Sequence, residues 1–190
     1  MSKLVFFDLE TAGLNPNENG IHQISGCIEI NEEEKECFDF KVAPNPKLAI
    51  SDEALKISGK TREEVLAYPP MEKIYKQFVD LLEKYVDKYD KKDKFFLVGY
   101  NNSSFDNQFL RNWFIQNNDK YFGSWFWPNT LDVYVLATQK LLDKRKDMPD
   151  FKLPTVCAEV GIPVDESRLH DAIYDIELTR KLYQIIISED

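Results

Sequence analysis

Long hydrophobic runs are missing from this sequence of 190 residues. None approaches the roughly 20 apolar residues that a membrane-spanning helix needs, so no membrane association is expected. A basic leader with a small-residue cleavage site is missing too: the chain runs from Met1-Ser2-Lys3 straight into Leu4-Val5-Phe6-Phe7. That argues against a secretory signal, and Ile185-Ile186-Ile187-Ser188-Glu189-Asp190 carries no lipid-anchor pattern. The expected location is cytoplasmic. Cysteine is scarce. Cys27, Cys37 and Cys157 are odd in number and form no C-x-x-C pair, which argues against zinc and against a disulfide framework. Cys27 and Cys37 do stand nearly symmetrically about Asn31-Glu32-Glu33-Glu34, so a hairpin there would set them opposite each other; reduced, buried thiols are nonetheless the expectation for a reducing compartment. Positive charge is also in short supply, and a net charge of −9 argues against broad wrapping of duplex nucleic acid. It leaves room for a substrate held at one end by metal ions and a few local cations. No repeat, low-complexity linker or shift of composition divides the chain, which reads as one domain over 1–190.

What is present suits a packed core: 43% of residues are hydrophobic and 13% aromatic. An apolar strand is expected at 3–8, and a hairpin of two more at 21–30 and 35–43 around the acidic turn. Pro44-Asn45-Pro46 opens a connector to about 68, within which Ser51 heads a short helix and Thr61-Arg62-Glu63-Glu64 reads as a capping box. Pro69-Pro70 opens an amphipathic helix with Ile74, Phe78, Leu81, Leu82 and Tyr85 at helical spacing. Phe95-Phe96-Leu97-Val98-Gly99 reads as a buried central strand. Helices follow at 104–117, after Asp132 as N-cap, at 153–160 and at 169–187. Strands first, then alternating strand and helix, point to an α/β fold: a mixed sheet covered by helices.

At the end of the first strand stand Asp8 and Glu10. Side chains alternate along a strand, so the two project together. Two like charges that close are costly unless neutralised, and a divalent cation with oxygen ligands does so economically. The pair alone is equally what a solvated turn after an edge strand would show. Asp106 follows the buried central strand, where ligands collect in open α/β sheets; it also suits a plain helix cap. His170 and Asp175 lie five apart, about 140° on a helix, and converge only if His170 sits at or before the helix start.

Asp8, Glu10, Asp106 and Asp175, with His170, fall in this order within three motifs: Phe7-Asp8-Leu9-Glu10-Thr11-Ala12-Gly13-Leu14, Gly99-Tyr100-Asn101-Asn102-Ser103-Ser104-Phe105-Asp106 and His170-Asp171-Ala172-Ile173-Tyr174-Asp175. The set resembles the DnaQ-like, or DEDDh, 3′–5′ exonucleases of the ribonuclease H-like fold, over nearly the whole chain. The second motif is most similar to the exonuclease I branch. Ala12 stands where the family often has threonine, and Tyr100-Asn101 where polymerase proofreading subunits commonly have His-Asn. No accessory domain or polymerase-binding tail is apparent.

The resemblance implies hydrolysis assisted by two Mg²⁺ ions, with Mn²⁺ able to substitute. Asp8 would bridge the ions, Glu10 and Asp175 would complete the water-bearing site, and Asp106 would support the second ion. His170 would take the proton from the attacking water. Thr11, Gly13 and Leu14 would hold the terminal nucleotide, with Leu14 wedged against its base or simply packed in the turn. Asn102 would help to seat the substrate, or serve as a structural turn residue. The implied partners are 3′ ends of single-stranded DNA, alternatively RNA in an oligoribonuclease-like enzyme, with replication or repair proteins beside them. A proofreading subunit bound to a polymerase is the further alternative. Lys144, Arg145, Lys146, Lys152 and Arg168 are candidates for the strand's path, or a solvated basic loop. Trp113, Trp125, Phe126 and Trp127 read as core or interface before base-stacking platforms. His22 is left as structural.

Overall fold

The computed structural model describes residues 2–169 and 171–188. Its first strand, β1 (Lys3–Thr11), lies in the middle of a five-stranded sheet ordered β3-β2-β1-β4-β5. The expected hairpin forms from β2 (Ile21–Ile30) and β3 (Glu33–Lys41), antiparallel to β1 and to each other. Asn31 and Glu32 both take positive φ at the turn, the backbone that matches the twist of the flanking strands. On the other side of β1, β4 (Phe96–Gly99) and the two-residue β5 (Leu131–Asp132) pair in parallel. This is the mixed sheet of the ribonuclease H-like fold.

Alternation along β1 feeds two cores. Val5, Phe7 and Leu9 pack with the helices α3 (Met71–Glu83) and α4 (Asp106–Gln116), through Phe78, Leu82, Phe109 and Trp113. Leu4 and Phe6 face the opposite way, into a cluster with α6 (Val133–Lys140), α7 (Leu153–Glu159) and α8 (Ala172–Ile187). The face that turns polar at Asp8 and Glu10 is therefore the α8 face. A third, small cluster of Ala12, Leu55 and Val65 seats α1 (Asp52–Ile57) and α2 (Arg62–Leu66) on the loop after β1. The expected caps form: Ser51 accepts from Ala54 N–H, and Thr61 and Glu64 close the capping box. A short α5 (Phe122–Trp125) was not legible beforehand; it closes the aromatic core in which Trp113, Trp125 and Phe126 are buried. Trp127 is only half-buried and stacks on Phe96.

One expectation is corrected. Cys27 and Cys37 are joined in a disulfide, with only Cys157 free and buried. The β2–β3 register sets the two residues directly opposite each other, and Cys37 lies on the exposed edge strand rather than in the core. Among the described residues no helix is long and apolar enough to cross a membrane.

Candidate active site

The sheet brings together what the sequence holds far apart. Asp8 and Glu10 project from the last turns of the β1 pleat, Asp106 opens α4, and Asp175 lies in the first turn of α8. Asp171 starts that helix by accepting from the backbone N–H groups of Ile173 and Tyr174. His170 lies outside the described residues.

Electrostatics records the convergence. Burial, and then repulsion from Asp106, Glu10 and Asp175, raises the Asp8 carboxyl well above its ordinary range. Burial and the neighbouring Asp175 push Glu10 up to about 7, while Lys41 and Lys60 pull the other way. Asp106 is 8% exposed and also rises to about 7, chiefly through burial, although its own backbone N–H and that of Leu9 hydrogen-bond its carboxylate. Crowded carboxylates that hold protons near neutral pH form an oxygen-only donor set suited to a hard divalent cation. Among the described residues, the group whose donor atoms close to within 4.8 Å of one another is Cys27, Glu34 and Cys37, and there the disulfide occupies both sulfurs.

The loops around them are built to stay put. Thr11 Oγ1 donates to Gly13 O at 2.7 Å. Gly13 has no space for a side chain, since a Cβ would sit 2.2 Å from Asn19. Asn19 is itself buried, accepting from Asn15 N–H and donating to Ala49 O. From this pinned loop Leu14 stands out 78% exposed. Asn112 of α4 donates to Pro16 O and to Asn17 Oδ1, tying the loop to the helix that Asp106 begins. Between them lies a polar groove of about 420 Å³, lined by Asn17, Ser103, Asn107, Gln108, Arg111 and Thr130 among others.

Asn102 takes the structural alternative. It is fully buried, donating to Thr130 Oγ1 at 2.8 Å and to Asn107 Oδ1, and its Oδ1 has no partner. It braces the loop before Asp106 from inside. Gly99 permits this, because a Cβ there would come within 2.8 Å of the Asn102 Cβ. The residue that sequence reasoning undervalued is Asp132. Besides capping α6 through Tyr134 N–H, it accepts from Asn101 N–H, Ser103 N–H and Ser103 Oγ, and so organises the whole loop. Only the cap was legible locally. Of the basic candidates, Lys144 pairs with Glu159, Arg145 lies over Phe151 and Arg168 over Tyr174. Lys41 and Lys60, which act on Glu10, carried no sequence signal.

The raised carboxyls set a pH dependence. Glu10 and Asp106 titrate from about 7 in the fold, against 4.5 and 3.8 as free groups. The folded chain therefore takes up protons, and their contribution to its stability, complete below pH 4, is lost as pH rises towards 7. In chelator, the melting temperature referred to the rest of the protein's titration should be higher at pH 5.5 than at pH 8. Saturating divalent metal should shrink that difference. Melts of wild type and of Glu10→Gln/Asp106→Asn at both pH values measure it, and an identical pH response in both proteins contradicts the assignment.

A family model described as an exonuclease family, RNase_T, matches residues 5–183. The chain is 26% identical over 192 residues to a ribonuclease T of Baumannia cicadellinicola subsp. Homalodisca coagulata, covering 97% of this chain and 83% of that protein. It is 25% identical over 184 residues to a PolC-type DNA polymerase III of Mycoplasmopsis pulmonis (strain UAB CTIP), covering 97% of this chain but 11% of the polymerase. A similar fold occurs in E. coli exonuclease I in complex with a dT13 oligonucleotide, with a TM-score of 0.76 and 22% identity over 98% of this chain and 41% of that one. The chain thus spans only a part of the polymerase and of exonuclease I.

Proposed function

This chain belongs to the RNase_T family of exonucleases, and we propose that it is a 3′–5′ exonuclease that releases 5′-mononucleotides from single-stranded DNA. The observation that carries this reading is the meeting of the carboxylates around Asp8, where Asp106, Glu10 and Asp175 each act as an unfavourable charge on the Asp8 carboxyl. DnaQ-like exonucleases depend on divalent metal ions, and Mg²⁺ is the ion proposed here, held by those four carboxylates. When bound, it lowers the pKa of a water and neutralises charge on the phosphoryl oxygens.

The chain's own residues do the rest. Leu14, presented on a loop fixed by Asn19, stacks against the terminal base, and Thr11 and Gly13 shape the floor beneath it. The groove beside α4 offers amide and hydroxyl groups to the neighbouring nucleotide. His170, by resemblance, receives the proton of the attacking water, a task that an imidazole near its ordinary pKa suits. The departing 3′-oxygen leaves as the hydroxyl of the shortened strand. DNA is preferred over RNA because exonuclease I, whose fold the chain shares, is seen with a deoxythymidine strand. The similarity to ribonuclease T supports RNA as the second reading.

Matched end-labelled DNA and RNA oligonucleotides with Mg²⁺ test both. The expected result is stepwise shortening of single-stranded DNA from a free 3′ end, stopped by a 3′ block. Rapid internal cleavage of a circular single strand rules the exonuclease out, and faster digestion of RNA selects the second reading.

A further inference from the structure

Beyond the carboxylates, the structure gathers positive charge at one corner of the site. In the sheet register Glu10 is opposite Gln23 and Gln23 is opposite Lys41. Directly paired residues share a face, so Lys41 stands on the Glu10 face two strands away, about 10 Å across the sheet. The adjacent row on that face is Asp8, Ser25 and Asp39. Gln23 Nε2 donates to Ser25 Oγ at 3.0 Å and to Asp39 Oδ1 at 2.6 Å, and Ser25 Oγ donates to the same oxygen at 2.8 Å. Lys41 Nζ is 3.7 Å from Asp39 Oδ2, with its side chain 36% exposed.

Lys60 arrives from a different element. Gly59, with φ at +66°, turns the chain after α1, and Lys60 N–H donates to Leu55 O at 2.8 Å. This connector is seated on the site: Ser51 N–H donates to Ala12 O at 2.8 Å, and Ser58 Oγ lies 3.3 Å from His22 Nε2. Lys60 Nζ pairs with Glu64 at 3.1 Å. The reach of both ammonium groups is visible in their effects. Both help burial to push His22 down to about 4, and Ser58, two residues before Lys60, meets His22 beside the Gln23 that pairs with Glu10. A site lined by carboxylates, in a chain of net charge −9, otherwise repels the phosphate it must cut.

We propose that Lys41 and Lys60 form a phosphate clamp on the Glu10 side of the carboxylate cluster. It holds the strand's terminal phosphodiester and, after cleavage, the 5′-phosphate of the released nucleotide. This rests on the exonuclease reading above. In the step concerned, water forms the new P–O bond, the P–O3′ bond breaks, and a proton passes to the 3′-oxygen. The product phosphate carries more charge than the diester it came from, so a clamp of this kind also governs product release. The ion pairs with Asp39 and Glu64 aim the two lysines while leaving their ammonium groups donors to spare.

The test has two arms, run on wild type, Lys41→Met/Lys60→Met and Lys41→Arg/Lys60→Arg. The first is equilibrium binding of a fluorescent oligo-dT with Ca²⁺ in place of Mg²⁺, titrated with salt. The second is inhibition of Mg²⁺-dependent digestion by thymidine 5′-monophosphate and by thymidine. Each phosphate contact on a single strand contributes about 0.7 to the salt slope. The methionine variant should lose at least that much and need roughly tenfold more of the nucleotide for inhibition, the order expected for a lost charge-assisted hydrogen bond. Thymidine should inhibit all three proteins alike, and the arginine variant should keep both wild-type responses. A methionine variant with wild-type slope and nucleotide inhibition overturns the clamp and leaves the exonuclease reading standing. A wild type that digests neither DNA nor RNA overturns the reading itself.

Discussion

Asp8→Asn should abolish digestion, slowing it by about 10³-fold or more, while leaving the fold without metal as stable as wild type or more so. The two effects have one cause. Asp8 lies at the centre of the cluster, its carboxyl raised by burial and by three acidic neighbours. The amide keeps the shape and removes a charge, which relieves that repulsion. It also removes the ligand proposed to be shared between two ions, and with it both water activation and charge neutralisation, each worth several kcal/mol. Metal that binds only the native state adds RT ln(1 + [L]/Kd); for a site of about 1 mM at about 10 mM Mg²⁺ this is about 1.4 kcal/mol. In a domain of this size the melting temperature should then rise by about 3–5 °C. Paired melts, in chelator and in Mg²⁺ at constant ionic strength, should show that rise in wild type and a smaller one in Asp8→Asn. An equal gain in both would place the metal elsewhere.

Arg180→Ala should unfold the protein more readily by about 3 kcal/mol or more, which for a domain of this size lowers the melting temperature by roughly 6–12 °C. Arg180 Nε donates to Glu29 Oε2 at 2.7 Å, and its Nη1 donates to Glu34. Glu29 is 4% exposed. Removing the guanidinium strands a buried carboxylate, and that desolvated charge, rather than the loss of the bond, dominates the cost. Replacing both partners by apolar residues, Arg180→Met with Glu29→Leu, should recover most of the stability. The double-mutant cycle reads the coupling. Failure of the double variant to recover would mean that Arg180 acts through packing alone. The pair also fixes α8 against β2, little more than a turn beyond Asp175.

Local chemistry explains what the sequence disclosed. The alternation through Leu4, Phe6, Asp8 and Glu10 is a property of a single strand, and the Thr61–Glu64 box and Asp132 cap are closed within a few residues. The candidate carboxylates followed from the same local reading plus the resemblance. What stayed hidden depends on register and docking. Lys41 reaches the Glu10 face only because two antiparallel pairings align them, and Lys60 only because α1 and α2 settle on Ala12. The Cys27–Cys37 bond followed from a cross-strand pairing whose geometry was anticipated and whose redox outcome was misjudged from the expected compartment. Asn102 looked available in a polar loop; the fold turned it inward.

The order of the strands bears on when the proposed site can be complete. β1 meets β2 through a short connection, a contact that forms early and cheaply because little chain must be gathered. Its other neighbour, β4, begins at Phe96, and α8 with Asp175 comes near the far end of the described chain. Contacts of such wide sequence separation close late in folding. A chain emerging from the ribosome can therefore complete its β1–β3 meander and still lack two of its four proposed ligands. The proposed ligand set is complete only once α8 has docked on the sheet and brought Asp175 to the other three carboxylates.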